Sequence, residues 1–196
     1  MTPDQAFNTI RRALMLDASA YEEIRDNSAY AVYAIAAACV AVLLAAIGAF
    51  LWAETVYDFS PDGWFFDTVI LGTIFTIVLM AVGIAVMYGV LTQALRETIP
   101  TLDGFARVAA LGHVSYAFAL LIFLPEIGFA FGVLAVAFVF FDTVFAIRSA
   151  YPSIGAWHTT VAVTIGMLVW LALLPILTSS PDNNWVTGPF VYSLFE

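Results

Sequence analysis

Three ionisable side chains lie inside long apolar segments, where they are the first candidates for chemistry: Arg107, His113 and Asp142. A charge at mid-bilayer costs about 2.5 to 3.5 kcal/mol on insertion scales, and such residues usually pair or line a polar route. Arg107 and Asp142 fall at similar depth on neighbouring segments, which predicts an interhelical ion pair. The alternatives are that Arg107 extends to the lipid headgroups and that Asp142 faces a wet cavity.

His113 lies near the middle of its segment, where a neutral imidazole bonded to a neighbouring helix is the commonest arrangement. Ligation of a haem or chlorin is the alternative for this side chain. His158 is roughly 12 Å away along the membrane normal at 1.5 Å per residue, which excludes a two-histidine haem. We therefore predict neither a cofactor nor a metal site.

The segments that position these residues form a membrane hairpin, with arms at 105–124 and 127–147. Each arm is about 20 residues long, enough to cross the roughly 30 Å hydrocarbon core of a bilayer. Pro125 and Glu126 mark the wet turn between the arms, since proline breaks the helix there.

Composition supports an all-α, polytopic integral membrane protein. Hydrophobic residues make up 63% of the 196 residues and charged residues only 11%, far from soluble proportions. The net charge of −9, without a single lysine, argues against nucleic acid and excludes a lysine Schiff base. The sequence also lacks a phosphate-binding loop, a metalloprotease motif and a nucleophile elbow, so we do not expect an enzyme.

The chain divides into a cytoplasmic amphipathic region (1–28), a five-span membrane domain (29–178) and an exterior polar tail (179–196). The predicted spans are 29–52, 68–91, 105–124, 127–147 and 157–178. All six arginines then fall on the amino-terminal side, so the positive-inside rule predicts a cytoplasmic amino terminus and an exterior carboxyl terminus.

The amino-terminal region should contain two short helices. Thr2 and Gln5 form a capping box that starts a helix at Pro3, and a second box is predicted from Ser19 to Glu22. In the first helix an apolar stripe predicts either a position in the headgroup plane or packing on the protein itself. The stripe consists of Phe7, Ile10 and Leu14.

Small residues indicate where helices approach one another in lipid. The first span has an alanine-rich middle, and Gly128 and Gly132 form a GxxxG pattern at the outer end of the fourth span. We predict that these two faces dock another integral membrane protein or a second copy of the chain.

Several stretches resemble prokaryotic members of the Ypt-interacting-protein (Yip) domain family. They are residues 10–24 (IRRALMLDASAYEEI), 105–108 (FARV), 112–117 (GHVSYA), 124–128 (LPEIG) and 146–150 (AIRSA). The resemblance implies five transmembrane helices and a cytoplasmic amino terminus.

Two functions follow as hypotheses. The first is a non-catalytic scaffold or accessory subunit. Its expected partners are membrane lipids and other integral membrane proteins or a second copy of the chain. The alternative is a transporter or lipid-moving protein with a polar route lined by Arg107, His113 and Asp142.

Overall fold

The computed structural model describes residues 2–57 and 63–178, and all regular structure in these two ranges is helical. Residues 58–62, in the connection between the first two predicted spans, and the polar tail 179–196 lie outside the described residues. The fold is that of an all-α polytopic membrane protein.

Five helices in the described ranges are long and apolar enough to cross a membrane. Their ends lie within three residues of the predicted spans. Span one is Ser28–Thr55, span two Phe66–Ala94, span three Leu102–Phe123 and span four Gly128–Ala150. Span five is formed by α7, Ala156–Thr178.

The helices within these spans are labelled in chain order. Span one contains α3 (Ala31–Trp52), and span two contains α4 (Gly72–Gly89) with a π-helical turn at each end, Phe66–Leu71 and Val90–Ala94. Span three begins as α5 (Leu102–Gly112) and continues as a 3₁₀ helix, Val114–Phe123. Span four is α6, Gly128–Ala150.

Span three is the centre of the bundle. In its most apolar window 61% of the residues are buried inside the protein, against 33% to 44% in the other spans. Its 3₁₀ part packs between α3 and α6, while α4 and α7 form a second pair beside it. Ten residues is long for a 3₁₀ helix, since runs beyond three or four residues are uncommon.

The alanine-rich face of α3 is used for this internal packing. Ala34, Ala38, Ala41 and Ala45 are buried, and a Cβ at Gly48 would collide with the backbone of Ala119 and Leu120. Small side chains let two helix backbones approach closely, which favours association in lipid. Span three thus covers the buried part of this face, while the docking of another protein on α3 stays a prediction.

Two short helices precede the membrane domain. The first, α1 (Pro3–Leu14), starts as predicted: Thr2 accepts from the backbone of Gln5, and the Gln5 side chain bonds back to Thr2. The second, α2 (Ala18–Asp26), is capped by Asp17, whose side chain accepts from the backbone N–H of Ser19. The predicted box from Ser19 to Glu22 is therefore corrected to a cap two residues earlier.

The apolar stripe of α1 divides between two environments. Ala6, Ile10 and Ala13 are buried against the protein, whereas Phe7 is 72% exposed and Leu14 is 47% exposed. The protein-packing alternative thus holds for one face of α1. For the outward face, with Phe7 and Leu14, the position in the headgroup plane stays a prediction.

The turn between α1 and α2 has the bond pattern of a Schellman motif. The Asp17 N–H donates to Arg12 O, and the Leu16 N–H donates to Ala13 O. Leu16 occupies the left-handed position of this motif, with φ of 61°, where glycine is usual.

Candidate functional site

Arg107 joins the membrane domain to α2. Its guanidinium is only 4% exposed. Nε donates to Ile24 O at 3.0 Å and Nη2 donates to Arg25 O at 2.7 Å, while Nη1 pairs with Asp103 one turn earlier on α5. One side chain of span three therefore holds two carbonyls at the end of α2.

The chemistry of a helix end explains this contact. The last carbonyls of an α-helix lack intrahelical partners and carry the negative end of the helix dipole, so a nearby cation stabilises them. Arginine suits the position because its planar fork can donate to two acceptors at once.

Arg25 makes the complementary contact from α2 to span four. Its Nη1 donates to Ala150 O, the last carbonyl of α6, and its guanidinium lies 5.5 Å from the ring centroid of Tyr151. Asp26 pairs with the same guanidinium at 2.6 Å. Arg25 and Arg107 thus connect α2 to the ends of spans three and four, and we name these two residues the arginine clamp.

The clamp also perturbs neighbouring acids. The hydrogen bond from Arg25 lowers the pKa of Asp26 below its ordinary value. Burial raises the pKa of Tyr151 to about 12, although the charges of Arg25 and Arg107 favour its ionised form. Tyr151 therefore stays neutral and packs its ring against Phe105.

Polar bonds fasten α1 to α2 as well. Arg12 donates to Asp17 at 2.9 Å and to Ser19 at 2.7 Å. The bond from Ser19 and then that from Arg12 lower the pKa of Asp17. Thr9 and Tyr30 both bond Glu23, so the start of span one joins the same network.

Asp142 does not meet Arg107. Its carboxylate accepts from the Ser115 hydroxyl across the hairpin, while Arg107 bonds α2 and Asp103. The predicted ion pair between Arg107 and Asp142 is therefore wrong. The positions of the two residues along their predicted spans indicated similar depths in the membrane. They could not reveal the acceptors of Arg107 on α2, which lie 82 and 83 residues away along the chain.

His113 is buried at the junction between α5 and the 3₁₀ helix, and its Nδ1 lies 2.8 Å from Ala109 O. The imidazole thus bonds its own helix rather than a neighbouring one, which corrects the prediction of an interhelical bond. Arg107, His113 and Asp142 have separate partners, so the structure does not bring them together. Ligation of a pigment by His113 stays a prediction.

Gly128 and Gly132 are both buried at the start of span four. A Cβ at Gly128 would collide with Ile122 O, because the turn of the hairpin folds back onto the 3₁₀ helix. Gly128 therefore packs within the hairpin, while the docking of another protein on the GxxxG face stays a prediction.

Two further polar features were not predicted. His158 Nδ1 bonds Glu97 and so ties the connector after span two to the start of span five. A polar groove of about 400 Å³ lies between α1, α2 and the start of span one. Its lining residues are Gln5, Asn8, Thr9, Arg12, Glu23, Asn27 and Tyr30.

The fold and these contacts define a multi-pass membrane protein with five spans. The arginine clamp holds α2 against one end of the hairpin formed by spans three and four. We call this end, where Arg25, Arg107 and Arg148 lie, the arginine-bearing end. The chain matches no protein-family model, and no curated protein or solved structure matches it either. The resemblance to the Yip family therefore stays a prediction.

Proposed function

We propose that this chain is a non-catalytic scaffold or accessory subunit that binds a second membrane protein through the α1–α2 hairpin. The observation that supports this proposal is the arginine clamp, because it fixes an extramembrane hairpin to the ends of spans three and four. A surface that must recognise a partner gains affinity when it is held in one conformation before binding.

The groove between α1 and α2 is the part of the hairpin that suits a partner. It is lined by side chains rich in amides, hydroxyls and charged groups, so it fits a polar extramembrane segment of the partner rather than a lipid chain. Residues 2–28 carry five carboxylates and three guanidinium groups, which favours a partner segment with a positive charge.

This proposal moves the interface away from the small-residue faces. Most of the small residues on those faces are buried inside the protein, whereas Gln5 and Asn8 at the groove are exposed. The prediction of a membrane-protein partner or homo-oligomer is kept, with the α1–α2 hairpin as its site.

Site-specific photo-crosslinking in the native membrane tests the proposal. We expect a cross-linker at Asn8 to give one discrete adduct, and the same group at Val133, which is 52% exposed on span four, to give none of that mass. Arg107→Ala in the Asn8 background should reduce the adduct severalfold, because α2 then loses one of the two residues of the arginine clamp. Mass spectrometry identifies the partner, and differently tagged copies distinguish a homo-oligomer.

Two results would contradict the proposal. One is that cross-linkers at Asn8 and at Val133 give the same adduct, which would place the contact on the lipid-facing surface of the spans. The other is an Asn8 adduct that is unaffected by Arg107→Ala although α2 has become mobile.

A second candidate, movement of an ion or lipid, rests on Asp142. This carboxylate is half-buried within span four and is bonded by Ser115 of span three. In proteoliposomes Asp142→Asn should abolish flux if this carboxylate lies on the route. Unchanged flux and growth would lead us to abandon this candidate.

A further inference from the structure

The outward face of span four carries a groove of about 390 Å³ near the arginine-bearing end. Phe141, Val144, Phe145, Arg148 and Ser149 line it. Phe141, Phe145 and Arg148 follow one another at helical spacings of four and three residues, so they share one face of α6.

The groove changes character along the helix axis. Arg148 lies two residues before α6 ends at Ala150, whereas Phe141 lies seven residues earlier, about 10 Å deeper at 1.5 Å per residue. Both phenylalanines reach the surface, with 62% of Phe141 and 36% of Phe145 exposed. The groove thus has a cation and a hydroxyl, from Arg148 and Ser149, at the membrane edge, and two aromatic rings deeper in the membrane.

The charge at the mouth of the groove is not neutralised by the protein. Arg148 is exposed and forms no ion pair with any residue in the two described ranges. Two charged groups of α2 and α6 have other partners: Arg25 binds Asp26 and Ala150 O, and Asp142 binds Ser115. The mouth therefore presents one free guanidinium at the depth where lipid headgroups lie.

We propose that this groove binds one anionic phospholipid. Its phosphate is held by the guanidinium of Arg148 and the hydroxyl of Ser149, and one acyl chain lies along Phe145 and Phe141. Arginine binds phosphate through paired N–H donors, and basic sites beside membrane helices at this depth are typical positions for anionic lipids. The inference is independent of the partner proposed for the α1–α2 hairpin.

Native mass spectrometry of the full-length protein tests the site. The protein is equilibrated in mixed micelles with equal amounts of phosphatidylglycerol and phosphatidylcholine, and the bound lipids are counted after mild activation. We expect the wild-type protein to retain one phosphatidylglycerol molecule. Arg148→Gln should lower the association constant of this lipid about fivefold, because one arginine near an anionic headgroup contributes about 1 kcal/mol.

The matched control is Arg96→Gln, which removes the same charge from an exposed arginine that does not line the groove. It should leave the retained lipid unchanged. Phe141→Ala keeps the charge but removes one of the two aromatic rings, and should shorten the retention of the lipid.

Three outcomes would overturn the site. Equal losses in the Arg148 and Arg96 variants would show a general attraction to net charge. Retention of phosphatidylcholine equal to that of phosphatidylglycerol would exclude recognition of the headgroup. Displacement of the lipid by millimolar inorganic phosphate would show a free-anion site without an acyl chain.

Discussion

Replacing Arg107 by alanine should weaken the attachment of α2 to the membrane domain without unfolding the five spans. The substitution removes charge-assisted hydrogen bonds to Ile24 O and Arg25 O. A hydrogen bond to a charged group contributes roughly 1.5 to 3 kcal/mol. The pair with Asp103 adds little, because that carboxylate is 68% exposed and screened by water.

The two carbonyls lie at a helix end, where water can reach them after the guanidinium is lost. We therefore take the lower limit for each bond, which gives a loss of about 3 kcal/mol in the free energy that keeps α2 closed. This corresponds to roughly a hundredfold increase in the population of the open state. Arg107→Lys should recover only part of it, since an ammonium lacks the planar fork.

Amide hydrogen exchange measured by mass spectrometry in nanodiscs provides the assay. Peptides covering α2 (Ala18–Asp26) should exchange roughly a hundredfold faster in Arg107→Ala, while peptides from α6 and α7 keep their wild-type rates. The matched control is Arg11→Ala, which removes an exposed arginine from α1. Exchange in α2 within twofold of wild type would refute the reasoning, as would equal acceleration throughout the protein.

Three further predictions concern the turns and the hairpin joint. Leu16→Gly should stabilise the α1–α2 hairpin by about 1 kcal/mol, because the left-handed backbone is costly for leucine. The control Leu14→Gly, within α1, should destabilise the hairpin. Hydrogen exchange of the α1 amides measures both effects. Gly128→Ala should lower thermal stability in detergent, because its Cβ meets backbone that cannot move aside; a melting temperature equal to wild type would contradict the packing. The pKa of Asp17 is lowered in the folded protein, so the ionised carboxylate stabilises the α1–α2 hairpin. This stabilisation is fully present above the ordinary pKa of Asp17 and is lost as the pH falls through the lowered value. Spin labels on α1 and α2 should therefore report loosening only below about pH 4, and the loss of this response in Asp17→Asn is the check.

The spans and the first helix cap could be predicted because they depend on local properties. An apolar run of about 20 residues and a Thr-x-x-Gln cap are visible in a short window of sequence. The change from α to 3₁₀ helix after Gly112 could not be predicted, since nearly every residue in that span is apolar and gives no periodic signal. In the structure this 3₁₀ segment packs between α3 and α6, and such contacts between distant segments leave no local pattern in the sequence.

The site contacts were missed for a related reason. Arg107 and Asp142 were identified as important, but their partners depend on where α2 folds back onto the bundle. Gly128 and Gly132 have the spacing of a helix-contact face, and the sequence cannot say whether the contacting helix belongs to the same chain. Here the chain itself supplies that helix.

The 3₁₀ half of span three affects how the protein fits its bilayer. Each 3₁₀ residue rises about 2.0 Å, against 1.5 Å in an α-helix, so ten such residues reach roughly 5 Å further. If Val114–Phe123 rewound to α-helix, the central span would shorten and draw Pro125 and Glu126 towards the hydrocarbon. Because hydrophobic mismatch costs fractions of a kcal/mol per Å, we expect a thicker bilayer to favour the longer 3₁₀ winding over an α-helical one.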